Sequence, residues 1–149
     1  MEYLFDIYTI VCLVGIALSV YAWHVERNKK CDKDYIAFCD LGANMQCSRV
    51  LTSEYSVGFG IFGTYLGCDS ILNRPNCELG MIFYAAQIVV LTLLGPFASV
   101  FLFLCSFASC IMSVYLAYLL AFKLKDICVV CISTYIVNFI LLYISFNRL

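Results

Sequence analysis

The stretch Leu79–Phe122, LGMIFYAAQIVVLTLLGPFASVFLFLCSFASCIMSVYLAYLLAF, decides the fold because it contains no Asp, Glu, Lys or Arg. About 20 apolar residues in a helix suffice to cross a bilayer, so the stretch is too long for a single crossing. Gly95 and Pro96 divide it at a point where proline removes a backbone donor and a tight turn is expected. The stretch therefore predicts two membrane helices joined by a short turn.

Two further runs, residues 7–25 and 127–147, also lack these charged residues. The chain of 149 residues is 64% hydrophobic and 13% charged, and its mean hydropathy is +0.94. Few ionisable groups tolerate the hydrocarbon core, so uncharged runs mark the spans. The sequence predicts one all-α integral membrane domain, residues 1–149, built as a four-transmembrane-helix bundle. The expected spans are about 7–25, 78–95, 97–122 and 127–147.

Four crossings would place both termini on one side of the membrane, with the loop 26–77 and the hairpin 123–126 together on the other side. The five loop cysteines then share that face with the two cysteines at the start of the last span: Cys31, Cys39, Cys47, Cys68 and Cys77 with Cys128 and Cys131. Eight of the nine Lys and Arg residues also lie there, and the positive-inside rule alone would make this face cytosolic. A cysteine-dense loop instead favours an oxidising compartment such as the lumen of the endoplasmic reticulum. We expect the lumenal orientation, because the charge rule weakens for a long loop.

The loop contains an uncharged glycine-rich segment, Tyr55–Cys68, that is too short to span a membrane. It fits a half-inserted or surface-lying helix that caps the bundle, and it also fits an ordinary amphipathic loop. In the third span, Ser106, Ser109 and Ser113 recur at helical spacing, which predicts close helix packing. The net charge of −1, with no basic helical stripe, gives no case for nucleic-acid binding.

A C-x-x-C motif stands where the hairpin 123–126 meets the last span. In a helix that starts there, Cys128 and Cys131 lie on one face. The helix N-terminus and the hairpin lysines favour thiolate, so we expect a lowered thiol pKa. The same face continues inward through Tyr135 and Asn138.

Cys39 and Cys47 form a second candidate pair, eight residues apart in the loop. Two dithiol pairs on one face could pass two electrons by thiol–disulfide exchange, from a soluble thiol to a membrane-borne quinone. Two alternatives are open. The two cysteine pairs could together bind zinc, although the spacing around Cys39 is not that of zinc modules, or they could form structural disulfides in a non-catalytic tetraspan scaffold.

Several short motifs follow one another along the chain: FCDLG at 38–42, CSRV at 47–50, GFG at 58–60, DSILN at 69–73 followed by Asn76, IFY at 82–84, SVYLAY at 113–118 and CVVCISTY at 128–135. In this order they resemble the vitamin K epoxide reductase family over nearly the whole chain. The resemblance implies a four-helix bundle capped by a half-helix. It also implies a membrane oxidoreductase of the endoplasmic reticulum that acts on vitamin K quinone and its 2,3-epoxide, with no metal and no tightly bound cofactor.

The resemblance assigns the chemistry to two redox-active disulfides, Cys128–Cys131 and Cys39–Cys47. Cys131 would be the nucleophile toward the substrate, and Cys128 would resolve it. Cys39 and Cys47 would carry electrons from a lumenal thioredoxin-like partner, with Cys47 exchanging with Cys128. The arrangement also fits a quinone-coupled system that generates disulfides.

The substrate contacts follow from the same resemblance. Asn76 and Tyr135 would hydrogen-bond the substrate oxygens, and Phe83 and Tyr84 would form an apolar wall. Coumarin-type anticoagulants would occupy this quinone pocket.

Three loop cysteines have no counterpart in such a relay. Cys68 and Cys77 could bridge to each other or remain free, and Cys31 could compete with Cys47 for Cys39.

Overall fold

The computed structural model describes residues 2–67 and 69–149, and within these ranges the chain is helical with no β-strand. The predicted all-α class is confirmed. The helices are α1 (Glu2–Cys31), α2 (Cys47–Leu51), α3 (Phe62–Leu66), α4 (Asn76–Leu94), α5 (Ser99–Leu119) and α6 (Val129–Phe146). Short 3-10 turns occupy Glu54–Ser56, Gly58–Gly60 and Gly95–Ala98, and a π-helical turn, Leu120–Leu124, extends α5.

Three segments in the described ranges are long and apolar enough to cross a membrane: Phe5–Cys31, Asn76–Leu124 and Val129–Phe146. The membrane prediction is thereby confirmed. The second segment contains the expected break, because the 3-10 turn Gly95–Ala98 separates α4 from α5. Gly95 has φ of 52°, a left-handed conformation that glycine adopts without steric cost.

Helix α1 is longer than the sequence suggested. Its 30 residues extend about 45 Å, against about 30 Å for the hydrocarbon core. Residues 26–31, which we expected in the loop, continue the helix instead. Lys29 and Lys30 lie in its last turn, where cations interact favourably with the helix dipole. The final turns therefore carry Glu26 and Cys31 on a helix.

The four long helices form an open row in which α4 packs on α1, α1 on α6, and α6 on α5. Helices α4 and α5, both described throughout, are not closely packed on each other. Two glycines bring α1 and α4 together: a Cβ on Gly15 would lie 2.7 Å from the ring of Tyr84, and one on Gly80 would lie 2.8 Å from Ser19 Oγ. The space left between α4 and α5 becomes the main cavity.

A buried polar layer ties all four long helices together. The Tyr8 hydroxyl of α1 donates to Gln87 Oε1 of α4. It also lies 3.3 Å from Ser106 Oγ of α5, which in turn lies 3.3 Å from Ser145 Oγ of α6. Polar groups in an apolar interior are costly unless they are paired, so these contacts restrict how each helix can rotate.

The glycine-rich segment folds against the start of α4. Val57 forms an isolated bridge with Pro75, and the residues Gly58, Phe59 and Gly60 all have positive φ. A five-residue helix, α3, follows. The last residue of the predicted cap, Cys68, lies outside the described residues.

A Gly15→Ala substitution tests the close approach of α1 and α4. Alanine normally favours a helix, but here its Cβ would meet a tyrosine ring that is only 1% exposed. We expect a loss of about 1–3 kcal/mol in the free energy of unfolding, measured as a lower melting temperature in detergent. Gly42→Ala is the matched control, because a Cβ there meets nothing within 4 Å. Equal melting temperatures for the two variants would contradict the packing described.

Candidate active site

The main cavity, of about 560 Å³, lies between α4 and α5 and has mostly apolar walls. Helices α1 and α6 form its back, and the glycine-rich segment contributes Tyr55, Phe59 and Phe62. Such a volume is in the range of small-molecule sites. Because α4 and α5 do not pack on each other, the cavity faces outward between two membrane helices, where a lipid-soluble molecule could enter.

Four cysteine thiols form an unbroken row that ends at this cavity. The Cys39 thiol lies next to Cys47, the Cys47 thiol next to Cys128, and the Cys128 thiol next to Cys131, close enough for each to shift the pKa of its neighbour. Cys47 and Cys128 are fully buried, Cys39 is 9% exposed, and Cys131 lines the cavity. All four are free thiols in this structure. The structure therefore brings together the two cysteine pairs that the sequence separates by about eighty residues.

The N-terminus of α6 holds the two central sulfurs of the row. Cys128 is the N-cap residue, and its sulfur accepts a hydrogen bond of 3.2 Å from the backbone N–H of Cys131. The sulfur of Cys47 lies near the backbone N–H of Val130, which lowers the pKa of this thiol in part. The first N–H groups of a helix have no partner within the helix, and the Cys128 sulfur satisfies one of them. Cys47 and Cys128 thus meet at the start of α6.

The thiol pKa of Cys128 differs from the expectation. Its hydrogen bond with the Cys131 thiol and its burial raise the pKa above the ordinary value, against the lowering effect of Cys47 and of the backbone N–H of Cys131. The hairpin lysines do not counter this, because Lys123 and Lys125 are exposed. The predicted lowering is therefore wrong for Cys128 in the fully reduced protein.

The loop cysteines have raised pKa values as well. Contact with Cys128 and burial raise the pKa of Cys47, although Val130 N–H and Cys39 lower it in part. Burial and contact with Cys47 raise the pKa of Cys39 to about 12. Burial and the neighbouring thiols thus favour the protonated forms of Cys39, Cys47 and Cys128 in the reduced row.

Two polar contacts dock the loop onto the start of α6. Arg49 Nε lies 3.3 Å from the buried Asp126 carboxylate. The backbone N–H of Ile127 donates to the carbonyl of Asn44 at 2.9 Å. Both contacts join the segment that carries Cys47 to the turn that precedes Cys128.

Asp40 organises the loop between its two cysteines. Its carboxylate accepts hydrogen bonds from the backbone N–H groups of Ala37 and Ser48 at 2.9 Å, and from Ser48 Oγ at 2.6 Å. Partial burial acts to raise the pKa of Asp40, but these hydrogen bonds outweigh it and lower the pKa below its ordinary value. Because Asp40 follows Cys39 and Ser48 follows Cys47, this carboxylate holds the loop pair together.

Asn76 lines the cavity, but its amide also supports the glycine-rich segment. Asn76 Oδ1 accepts from the backbone N–H of Phe59 at 2.8 Å, and Asn76 Nδ2 donates to the carbonyl of Tyr55 at 2.7 Å. Phe59 has φ of 55°, which is unfavourable for a residue with a Cβ. The amide therefore pins a strained turn at one end of the cavity.

The aromatic residues expected from the sequence all line the cavity. Tyr135 is one turn beyond Cys131 on α6, and Phe83 packs edge-on against Tyr84 with ring centroids 5.4 Å apart. The Tyr84 hydroxyl donates to Asn138 Oδ1 at 2.8 Å, so its polar end is anchored to α6.

This anchor extends to α5, where sequence reasoning expected only close packing. Asn138 Nδ2 donates to Ser113 Oγ at 2.8 Å, and both Ser109 and Ser113 line the cavity. The inward direction of Asn138 was readable from its spacing to Cys131, but its partners are distant in sequence. The network joins α4, α5 and α6 at the cavity wall.

Of the remaining loop cysteines, Cys31 and Cys77 are not members of the row. Cys31 is exposed at the end of α1, Cys68 lies outside the described residues, and Cys77 donates to the carboxylate of Glu26 at 3.1 Å. Sequence reasoning missed Glu26, because we expected it in a solvated loop. In the described part of the chain, no three His, Cys, Asp or Glu side chains are grouped so as to hold a metal ion.

The chain was compared with known proteins. The sequence profile of the vitamin K epoxide reductase family matches residues 7–146. The chain is 45% identical over 138 residues to vitamin K epoxide reductase complex subunit 1 of Mus musculus, and the alignment covers 93% of this chain and 86% of the relative. The same protein of Rattus norvegicus matches with the same identity and coverage. The chain therefore belongs to the vitamin K epoxide reductase family.

Proposed function

We propose that the protein reduces vitamin K 2,3-epoxide and vitamin K quinone in the membrane, with electrons supplied by protein thiols. The observation that supports this proposal most directly is the row of four thiols, which begins near the surface at Cys39 and ends in the cavity wall at Cys131. The row supplies the two electrons, and the apolar cavity suits a naphthoquinone with an isoprenoid tail. Family membership supports the same activity.

Cys131 is the nucleophile toward the substrate, and Cys128 resolves it. The Cys131 thiolate opens the epoxide and forms a carbon–sulfur bond. Cys128 then attacks Cys131, the carbon–sulfur bond breaks, and a disulfide remains. The two thiol protons and the epoxide oxygen leave as water, so epoxide and dithiol become quinone, disulfide and water. The quinone is reduced to hydroquinone by the same pair, which again supplies two electrons and two protons.

Cys39 and Cys47 restore the reduced centre. Cys47 attacks the Cys128–Cys131 disulfide at Cys128, which it contacts, and releases Cys131 as a thiolate. Cys39 then attacks Cys47, so the disulfide passes to the loop pair. A lumenal thioredoxin-like dithiol reduces that pair from outside, since Cys39 is the more exposed of the two.

Asn76, Tyr135 and Phe83 hold the substrate. One hydrogen of the Asn76 amide is used by Tyr55, which leaves the second as a donor toward a substrate oxygen. The Tyr135 hydroxyl acts from the α6 side of the same cavity, and both donors stabilise negative charge that develops on oxygen during reduction. Phe83 and Tyr84 cover the ring system, and coumarin-type anticoagulants occupy the same space.

We place four crossings in the membrane of the endoplasmic reticulum, with the cysteine loop in the lumen. The break at Gly95–Ala98 supports two crossings by α4 and α5. The contact of Cys47 with Cys128 requires the loop and the start of α6 to share one side. The glycine-rich segment caps the cavity there as a half-inserted helix, and its residues Tyr55, Phe59 and Phe62 support this role.

Removing either member of the catalytic pair tests the proposed function. We expect Cys131→Ala and Cys128→Ala to abolish vitamin K epoxide reduction in membranes supplied with dithiothreitol, because neither variant can form the product disulfide. Cys31→Ala is the matched control, since this exposed thiol lies outside the row and should keep full activity. Undiminished reduction by the Cys131→Ala variant would refute the assignment.

Two substitutions at Asn76 test its support of the glycine-rich segment and its contact with the substrate. Asn76→Ala removes both bonds to the glycine-rich segment, so we expect faster proteolysis of residues 55–67 and at least about tenfold lower epoxide reduction. Asn76→Asp keeps the acceptor for Phe59 N–H but loses the donors to the Tyr55 carbonyl and to the substrate, so we expect proteolysis at a rate between those of the parent and Asn76→Ala, together with a higher KM for epoxide. Parent-like kinetics in both variants would count against a substrate role for Asn76.

The contact of Cys47 with Cys128 can be captured chemically. In a Cys39→Ala/Cys131→Ala double variant, we expect mild oxidation by diamide to produce a Cys47–Cys128 disulfide, mapped by mass spectrometry after alkylation. Contact with Cys128 and burial, which both persist in this variant, raise the pKa of Cys47, so the rate should increase with pH between about pH 7 and pH 9. Failure to recover the linked peptides, with the variant still folded, would refute the relay.

A further inference from the structure

A fifth thiol lies within reach of the row and takes no part in the proposed relay. Cys77, in the first turn of α4, is 8% exposed and belongs to the same buried cluster as Cys39, Cys47 and Cys128. It lines the same cavity as Cys131. A reactive thiol at this position would interfere with disulfide transfer, so its chemical state matters.

A buried carboxylate faces this thiol. Cys77 Sγ donates to Glu26 Oε2 at 3.1 Å, and Glu26 is only 3% exposed. The other oxygen, Oε1, accepts from Lys30 Nζ one turn along α1, and the Lys30 side chain is half-exposed. Lys30 thus fixes the carboxylate from the water side, and the second oxygen is directed at the sulfur.

Burial disfavours a thiolate at Cys77, and the carboxylate of Glu26 disfavours it further. The thiolate is the form that attacks disulfides, and here it would lose its hydrogen bond to Glu26 and place a second negative charge beside the carboxylate. Glu78 on the same helix adds to the repulsion, although it pairs with Arg74 at 3.5 Å. We propose that Glu26 holds Cys77 as a thiol and thereby keeps it out of disulfide exchange with the row of four cysteines.

The proposal explains how an extra cysteine is tolerated next to the row. As a thiolate, Cys77 would attack Cys131 of the Cys128–Cys131 disulfide, forming a Cys77–Cys131 bond and releasing Cys128 as a thiolate. No electrons are gained or lost in that exchange, but the disulfide moves to a position that Cys47 does not contact. Because Cys77 is held as a thiol, it does not form this Cys77–Cys131 disulfide.

The test measures thiol reactivity, which does not depend on the proposed function. The full reduced chain in detergent is treated with N-ethylmaleimide, and the alkylation rate of each cysteine is followed by peptide mass spectrometry. We expect Glu26→Gln to speed alkylation of Cys77 at least about tenfold, as for one unit of pKa. The exposed Cys31 serves as the standard in the same sample and should be unchanged. Glu78→Gln, the matched control, should change the Cys77 rate by less than about threefold.

Two results would overturn the proposal: an unchanged Cys77 rate in Glu26→Gln, or a parent Cys77 that reacts as fast as Cys31. Unfolding of the variant is recognised separately, because the fully buried Cys47 and Cys128 would then label together with Cys77. If the Glu26→Gln variant unfolds, the proposal is tested on the parent protein instead. Its ratio of Cys77 to Cys31 alkylation rates should rise between about pH 8 and pH 10, and a flat ratio would refute the role of Glu26.

Discussion

The chemistry of this protein depends on the first backbone N–H groups of α6, which no carbonyl within the helix can satisfy. In a solvated helix, water or a side-chain oxygen would accept these bonds. Here the sulfur of Cys128, which caps the helix, accepts from the backbone N–H of Cys131, and the sulfur of Cys47, from a distant loop, lies near the N–H of Val130. The two sulfurs therefore lie beside each other at the start of the helix. The loop, its charged contacts and the cavity all surround this junction, the place where Cys47 meets Cys128 at the start of α6.

The membrane helices leave a cavity because they form an open row. Glycines allow α1 and α4 to approach closely, and the Tyr8 layer restricts the rotation of all four long helices. Helices α4 and α5 stand at the two ends of the row, so the space between them is not filled by helix packing. Several polar groups that border this space are paired with one another, as in the contacts of Asn138 with Tyr84 and Ser113. The walls therefore present mainly apolar surface to a ligand, as a site for a lipid-soluble molecule requires.

Three carboxylates near the junction have different roles, because their surroundings differ. Asp40 accepts three hydrogen bonds and stays ionised, so it serves as a fixed acceptor that draws the two halves of the loop together. Asp126 is buried and paired with Arg49, which joins the loop to the turn before Cys128. Glu26 faces a thiol instead, and we infer a protective role for it. Asp40 and Asp126 thus act on the cysteines of the row through neighbouring residues, whereas Glu26 accepts directly from Cys77. None of the three touches a sulfur of the row in the contacts described.

The sequence by itself determined the helices and much of the candidate site. Long uncharged runs leave helices as the structure that satisfies the backbone in lipid, and Gly95 with Pro96 specified where the longest run breaks. Helical spacing placed Cys131, Tyr135 and Asn138 on one inward face, and motif order indicated the family. These features depend on residues close together in the chain, so local rules suffice to predict them.

Only the tertiary structure decided how distant residues meet. The contact of Cys47 with Cys128, the use of the Asn76 amide to pin the Phe59 turn, and the approach of Cys77 to Glu26 all join separate parts of the chain. The expected lowering of the Cys128 pKa was wrong for the same reason. The helix N-terminus does favour the thiolate, as the sequence indicated, but burial and a neighbouring thiol outweigh it, and these depend on how the chain packs.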